Sequence, residues 1–538
     1  MAPDLRDHRT DGNSTAESAL PHPMRVAPAV SSGLLPSHRS EGRGFLNSVL
    51  IFGFWLEPGK PHANSLHTSM TKTCTSQGIS RRRFLVSTAT VLAAPTFVPA
   101  SAIGAEERVA ASERITLGVV GWGMQGPGNT GAFMNLPDCQ VVAACDLDKN
   151  HLQQAVDSIN GKYGNQDCRA YHDYRELMAR KDIDAVMLAV PDSWHALTAI
   201  EAARNGKDIY GEKPLARTIA EQQAMVKAVQ KYDRIWQTGS WQRSVENFHK
   251  AAEIVRNGLI GKVTRVEVGL PGGHHDFAGT APALMSKLAS LADKPDRLSK
   301  LVPGTPAWEL AVTPPPAELD YDFWLGPSQM EPYIQSRVHM NWRWNYNVGG
   351  GQLLDWIGHH CDIAHWGLGL DDDGPSEVEG QGEFPPATAV WNTCSKYRIE
   401  LKYPQDLTMI IAGGHGDIRG GTKWIGDQGW VWVDRGGFES SIQKFNELSR
   451  LPEDLRKVKL INSRNHQKNF IDSVKSRQPT ITPIEAAHHS AIPGHLGLIA
   501  LRVDRKIKWD TRKEVIVGDP EASQLLSRPY RAPWKLEA

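Results

Sequence analysis

The stretch "ITLGVVGWGMQG", an apolar run from Ile115 to Val120 entering Gly121, Gly123 and Gly126, constrains the chain more than any other. It demands a strand, a tight turn and a helix in immediate succession. The first glycine permits the turn, the second lets a pyrophosphate approach the backbone, and the third lets the helix pack against the strand. Glycine-rich turns are common, so the motif needs its context. A second apolar strand, "CQVVAACD", ends on Asp146 about twenty residues beyond the last glycine, where an acidic side chain holds ribose hydroxyls. That carboxylate repels a 2′-phosphate, so NAD is expected over NADP, with Lys149 nearby as a partial counterweight. Met124, inside the turn, joins the expected cofactor contacts.

Strand-like and helix-like segments then alternate, from "RAYHDYRELMAR" through "IDAVMLAV", "HALTAIEAARNGK", "DIYGEKPLA" and "TIAEQQAMVKAVQKY" to "RIWQTGSW". Continuous apolar strands between helices imply a parallel, doubly wound α/β sheet. This Rossmann domain is expected over residues 113–241. A chain of 538 residues holds more than this one unit.

Lys plus Arg equals Asp plus Glu, 60 of each, so nothing global points to nucleic acid. The six cysteines include no C-x-x-C pair, which argues against a zinc ribbon, and so few in this length make no disulfide framework. The longest apolar runs are too short or too broken by proline to span a bilayer, so stable membrane insertion is not expected. "SRRRFLVSTATVLAAPTFVPASAIGA" has a twin arginine, a moderately apolar run and then small residues at Ala100, Ala102 and Ala105. It is similar to a twin-arginine (Tat) export signal, so residues 70–105 are expected to engage the Tat machinery and place the protein in the periplasm or outside the cell. Residues 1–69 lack periodicity and read as a disordered extension or a mis-assigned start, with translation beginning at Met70.

A second domain is expected over 242–510, with a tail over 511–538. "VENFHKAAEIVRNG" reads as an amphipathic helix leading into the strand "GKVTRVEVGL". The exit from that strand carries His274, His275 and Asp276, either cleft contacts or a polar turn. Residues 279–320 read as an insertion or lid. Trp342 and Arg343 precede "GGGQLLDWIGHHCDIAHW" in a chain with 17 tryptophans. Aromatic faces with a few cationic donors suit carbohydrate rings, although any single tryptophan is as readily core. A helix through the histidine-rich stretch puts Asp355, His359, Asp362 and Trp366 on one face and His360 opposite. Three readings of that face stay open: an acid/base pair, a surface hydrogen bond, or metal ligation. No further ligand pair accompanies it, so no metal is assigned.

These residues resemble the glucose-fructose oxidoreductase / inositol dehydrogenase / MocA family. The likeness runs from about Arg114 to the C-terminus and rests on "GVVGWGMQG", "AVPDSWHALTAIEAARNGKDIYGEKPLA", "GLIGKVTRVEV" and "GGGQLLDWIGHHCDIAHW" together. It implies a Rossmann domain followed by an α/β domain on a large, open, mostly antiparallel sheet, with the site between them. It places a Glu-Lys-Pro motif on Glu212, Lys213 and Pro214, often with a cis bond, and puts Pro191 and His195 beside the nicotinamide. It matches the family's Asp-x-x-x-His pair to Asp355 and His359, with His359 as general base, Asp355 as its orienter and a substrate ligand, and Lys213 lowering the pKa of a substrate hydroxyl and stabilising the alkoxide-like transition state. Arg243, at the domain junction, lies where members contact substrate or cofactor; Trp342, Arg343 and His274 complete the substrate candidates.

The implied protein is an exported oxidoreductase acting on a hydroxyl of a sugar, sugar derivative or polyol through tightly held NAD, as a homodimer or homotetramer. Two other functions fit the same residues: an NAD-dependent glycosidase working by oxidation and elimination, and a non-catalytic NAD-binding regulator.

Overall fold

The computed structural model describes residues 109–273, 282–291 and 301–537. His274 and the export-signal segment lie outside them. Six strands, β1 (Ile115–Val120), β2 (Cys139–Cys145), β3 (Arg169–Tyr171), β4 (Ala185–Leu188), β5 (Asp208–Gly211) and β6 (Trp236–Thr238), form an all-parallel sheet in the order β3-β2-β1-β4-β5-β6. The order reverses between β1 and β4, which opens a crevice at their carboxyl ends. Helices α1 (Gly126–Met134), α2 (Lys149–Tyr163), α3 (His195–Arg204) and α4 (Ile219–Lys231) belong to this domain. Asp148 caps α2 by accepting from the backbone N–H groups of Asn150 and His151. A reciprocal Thr218/Glu221 box starts α4.

The second sheet has nine strands: β7 (Val263–Leu270), β8 (Glu377–Glu383), β9 (Lys396–Tyr403), β10 (Leu407–Gly413), β11 (Gly421–Gly426), β12 (Trp430–Val433), β13 (Phe438–Ser440), β14 (Ile507–Asp510) and β15 (Val515–Ile516). Only β7 and β10 pair in parallel; the other pairs are antiparallel. Along β9 the inward residues Tyr397, Ile399, Leu401 and Tyr403 alternate with half-exposed ones, as a one-sided sheet requires. Helices α5 (Glu246–Arg256) and α6 (Gly351–Leu368) pack on that face, α6 lying against β7 and β11.

The boundaries differ from the expected linear division. Helix α7 (His466–Ser476) buries Phe470, Ile471 and Val474 in the first domain's core beside Phe133 and Val141. The next residues run along β6: the Thr238 N–H donates to the Thr482 carbonyl at 3.0 Å, and the Thr480 hydroxyl to the Trp236 carbonyl at 2.7 Å. An edge strand offers unpaired backbone groups, and this returning segment satisfies them. Helix α8 (Ile484–Val503) then lies against both α6 and α4. Nor are residues 511–538 a separate tail, since β15 extends the second sheet while Trp534 packs on Trp194 of the first domain. Among the described residues no helix is long and apolar enough to cross a membrane.

Candidate active site

A pocket opens at the carboxyl ends of β1, β2 and β4, with Gly121, Gly123, Met124, Asp146, Pro191 and Lys213 in its walls. The glycines divide by role. A Cβ on Gly121, at φ +94°, would lie 2.3 Å from the Ala189 carbonyl oxygen, and one on Gly126 would lie 2.2 Å from that of Gly121. A Cβ on Gly123 would meet nothing within 4 Å. The first and third glycines are therefore required by the fold, and the second leaves open the space a pyrophosphate needs. The Asp146 carboxylate accepts from the backbone N–H of Trp122 at 2.7 Å and of Asp148 at 2.9 Å, which fixes it at the ribose end. Glu212 lies in the wall, buried, and accepts from the Asn129 side chain on α1 at 2.8 Å.

A segment of the second domain roofs this pocket. The Lys149 N–H donates to the Glu318 carbonyl at 2.9 Å, and the Asp320 N–H to the Leu147 carbonyl at 3.1 Å. Trp342 and Arg343 follow in the same segment and line the pocket. Asp148, His151 and His339 also converge here, with ligand-competent atoms all within 4.8 Å of one another. Asp355, His359 and Asp362, the trio read from the helix, do not form such a group among the described residues.

The chemistry-bearing end is built on α6. Its start is set by Gly349, Gly350 and Gly351: a Cβ on Gly349 would sit 2.6 Å from the Arg343 carbonyl oxygen, and Gly351 is at φ +72° against Thr393. The glycine run thus lets the Arg343 segment cross the helix start closely enough for its Nε to reach Asp355 Oδ1 at 3.1 Å. From the other side, Lys213 Nζ donates to the same Oδ1 at 2.9 Å and to the Asp355 carbonyl at 3.0 Å. Gly358 makes that approach possible, since a Cβ there would lie 2.9 Å from Lys213 Cβ. The Lys213–Pro214 bond is cis.

Burial pushes the Asp355 carboxyl upward, but Lys213 and Arg343 outweigh it and hold the group well below the usual carboxylate range. Burial, with Lys213 and Arg435, drives His359 well below the usual imidazole range, so the ring is neutral. Its Nδ1 is buried with no hydrogen-bond partner among the described residues. This corrects one expectation: Asp355 does not orient His359 through a hydrogen bond, because both cations compete for its carboxylate. The indoles of Trp241 and Trp356 flank His359 instead, with ring centroids 6.5 and 5.3 Å away.

Two other expectations fail. Arg243 is not in the wall of the nucleotide pocket: its side chain is 1% exposed, and it grips Asp362 with Nε at 2.8 Å and Nη2 at 2.7 Å, while Nη2 also reaches Asp371 at 2.9 Å. Asp362 therefore anchors α6 in the interior, and the Asp355/His359 face opens to the site only over its first half. His195 is buried and is not in the pocket wall; its ring nitrogens lie 2.8 Å from the Pro214 carbonyl and 2.9 Å from that of Val190. It splints the Pro191 loop to the Lys213 segment. Sequence reading missed Asn129, Gly358 and Arg435. Asn129 and Gly358 sit among residues that signal only helix, and Arg435 lies in a β-turn far along the chain.

A two-domain architecture with a dinucleotide cradle and a lysine-carboxylate-histidine cluster at its edge defines a class of nucleotide-dependent oxidoreductases. Two family models match: "Oxidoreductase family, NAD-binding Rossmann fold" over residues 115–240 and "Oxidoreductase family, C-terminal alpha/beta domain" over residues 304–536. The chain belongs to the Gfo/Idh/MocA oxidoreductase family. It is similar to inositol 2-dehydrogenase of Salmonella typhimurium, 32% identical over 167 residues, 31% of this chain and 47% of that one. It is also similar to glycosyl hydrolase family 109 protein 2 of Shewanella sp. strain ANA-3, 37% identical over 114 residues, 20% of this chain and 25% of that one. The matches thus span half or less of these curated relatives. The fold is shared with the WlbA dehydrogenase of Chromobacterium violaceum, solved with NADH and UDP-GlcNAcA, at a TM-score of 0.52 and 14% identity, covering 75% of this chain and 99% of that one.

Proposed function

We propose that the protein is an exported, NAD-dependent oxidoreductase that moves hydride to or from a carbinol carbon of a sugar, sugar derivative or polyol. The observation that carries this reading is that Lys213, in the wall of the nucleotide pocket, reaches back to Asp355, with neutral His359 one helical turn further along α6. Bound NAD would accept the hydride. Removing hydride requires the hydroxyl proton to leave as well, and a neutral imidazole is the base suited to take it near pH 7. Lys213 gives two hydrogen bonds to Asp355 and keeps a third donor for the substrate oxygen, whose developing negative charge it stabilises. Asp355 acts by holding that ammonium in place. Native mass spectrometry of the purified protein, combined with absorbance on adding a panel of sugars and polyols, tests the reading and also reads the oligomer, for which a dimer or tetramer is expected. Bound dinucleotide reduced by a sugar supports it; a protein that retains no nucleotide and transfers no hydride overturns it.

The pH profile supplies a sharper check. His359 works deprotonated, and its folded pKa lies below the ordinary value of 6.5. Activity is lost only as pH falls through that lowered value. The acid limb of kcat/KM is therefore expected below pH 6.5; a limb at 6.5 or above contradicts the assignment.

Asp146 favours NAD, its carboxylate being fixed at the ribose end by the Trp122 and Asp148 N–H groups. Asp146→Asn is expected to weaken NAD binding about tenfold and to raise the NADP/NAD preference, measured by calorimetry with both nucleotides. An unchanged ratio would place the ribose elsewhere.

A second reading, cleavage of a glycosidic bond by transient oxidation, draws on the relatives named glycosyl hydrolase family 109. Product analysis on aryl glycosides separates the two: a keto sugar with its aglycone retained supports net oxidation, and free aglycone supports cleavage.

A further inference from the structure

Arg435 helps to keep His359 neutral, and that role leaves most of its hydrogen-bond donors unassigned. Arg435 sits in the turn between β12 and β13, which is tightly built: the Asp434 N–H donates to the Gly437 carbonyl at 3.0 Å and the Gly436 N–H to Asp434 Oδ1 at 2.6 Å. The Asn247 side chain on α5 pins the turn by donating to the Asp434 carbonyl at 2.5 Å. From this support the guanidinium reaches the two indoles that flank His359, its Cζ lying 4.7 Å from the Trp241 ring centroid and 4.8 Å from that of Trp356.

One of its N–H groups is used, Nη2 donating to Gln242 Oε1 at 3.3 Å. The Gln242 amide is oriented in turn by His360, whose Nδ1 lies 3.5 Å from Nε2. Burial lowers His360 to about 3, so it stays neutral and accepts. The neighbour of the catalytic histidine thus has a role: it sets the amide that sets the arginine. Among the described residues Arg435 makes no close ion pair with a carboxylate, and Asp355 acts on it only through space. Lys213 and Arg343, in the wall of the nucleotide pocket, already share Asp355.

A guanidinium has five donors in a fixed plane and matches a carboxylate bidentately. Held by two aromatic rings and an amide, it is ordered before any ligand arrives, so little entropy is lost on binding. Trp241, half-buried beside His359, offers indole surface to the C–H face of a pyranose, whereas Trp356 is stacked on His360 and holds the guanidinium. We infer that Arg435, Trp241 and Trp356 form a subsite for the carboxylate of an acidic sugar, which makes the natural substrate a uronic acid or a residue bearing one. This rests on the hydride-transfer reading given above and names its substrate class.

D-glucuronate and D-glucose differ only at the carboxylated carbon and are the probes. The holoenzyme is expected to show a kcat/KM at least about tenfold higher for D-glucuronate. Arg435→Gln is expected to lower the glucuronate/glucose ratio by at least about tenfold, with most of the loss in KM, and Arg435→Lys to recover part of it. Methyl β-D-glucuronide, run beside the free acid, shows whether the carboxylate is presented by a free or a glycosidic sugar; preference for either supports the subsite. Equal use of glucose and glucuronate, better use of D-glucose 6-phosphate, or an Arg435→Gln loss that is the same for acid and neutral sugars overturns it. Quenching of tryptophan fluorescence by D-glucuronate in the His359→Ala holoenzyme separates the two proposals. Quenching that needs Arg435, without turnover of any sugar by wild type, keeps the subsite and defeats the oxidoreductase. Sugar oxidation without acid preference does the reverse.

Discussion

His359→Ala is expected to lower kcat by about 10³-fold while nucleotide binding stays at the wild-type level. The loss follows from removing the base that accepts the hydroxyl proton. Water replaces it poorly, because the ring lies among Trp241, Trp356 and the Lys213 side of the cleft, where little bulk solvent reaches. Nucleotide binding should survive because His359 contributes nothing to the wall of the dinucleotide pocket. Single-turnover reduction of bound nucleotide measures the first quantity and native mass spectrometry the second. Turnover within tenfold of wild type would remove His359 from the chemistry. Joint loss of activity and cofactor would make its role structural.

Arg243→Ala is expected to destabilise the fold by about 3–5 kcal/mol, the cost of leaving buried carboxylate charge without its partner. Asp362 is 2% exposed and, among the described residues, has the Ser490 hydroxyl at 3.3 Å as its further hydrogen-bond partner besides Arg243. The guanidinium also lies 5.2 Å from the Trp366 ring centroid and 3.4 Å from the Ile481 carbonyl, so its removal loosens the second half of α6 and the segment beside β6 together. The shift in denaturant midpoint measures the effect. The double change Arg243→Met with Asp362→Leu should recover part of the loss, because it removes the stranded charge on α6. A midpoint within 1 kcal/mol of wild type for Arg243→Ala would show that water reaches the pair.

Local spacing made the nucleotide half legible. Gly121, Gly123 and Gly126 are a few residues apart and Asp146 ends the next strand, so each position follows from one turn and one strand length. The Asp355/His359 face followed from helical phase alone. Phase could not say how far along α6 the cleft extends, because that depends on Arg243 arriving from another element. The misplacement of Arg243 as a substrate contact has the same origin: an arginine at a domain junction reads identically whether it faces solvent or a buried carboxylate. His195 was read as a nicotinamide neighbour from the family resemblance, which fixes its place in the loop but not the direction of its ring, and the ring turns toward two carbonyls. Gly358 and Arg435 became visible only when strands and helices distant in sequence were brought together.

The return of α7 and residues 480–482 to the first sheet has a consequence for how the molecule comes apart. A chain that visits the nucleotide domain, leaves it, and comes back to complete its edge cannot shed either half alone: melting the second sheet drags away the strip that covers β6. The two sheets are therefore expected to unfold as one cooperative unit, so that a dinucleotide bound to the first would stabilise the second through the shared unfolding equilibrium.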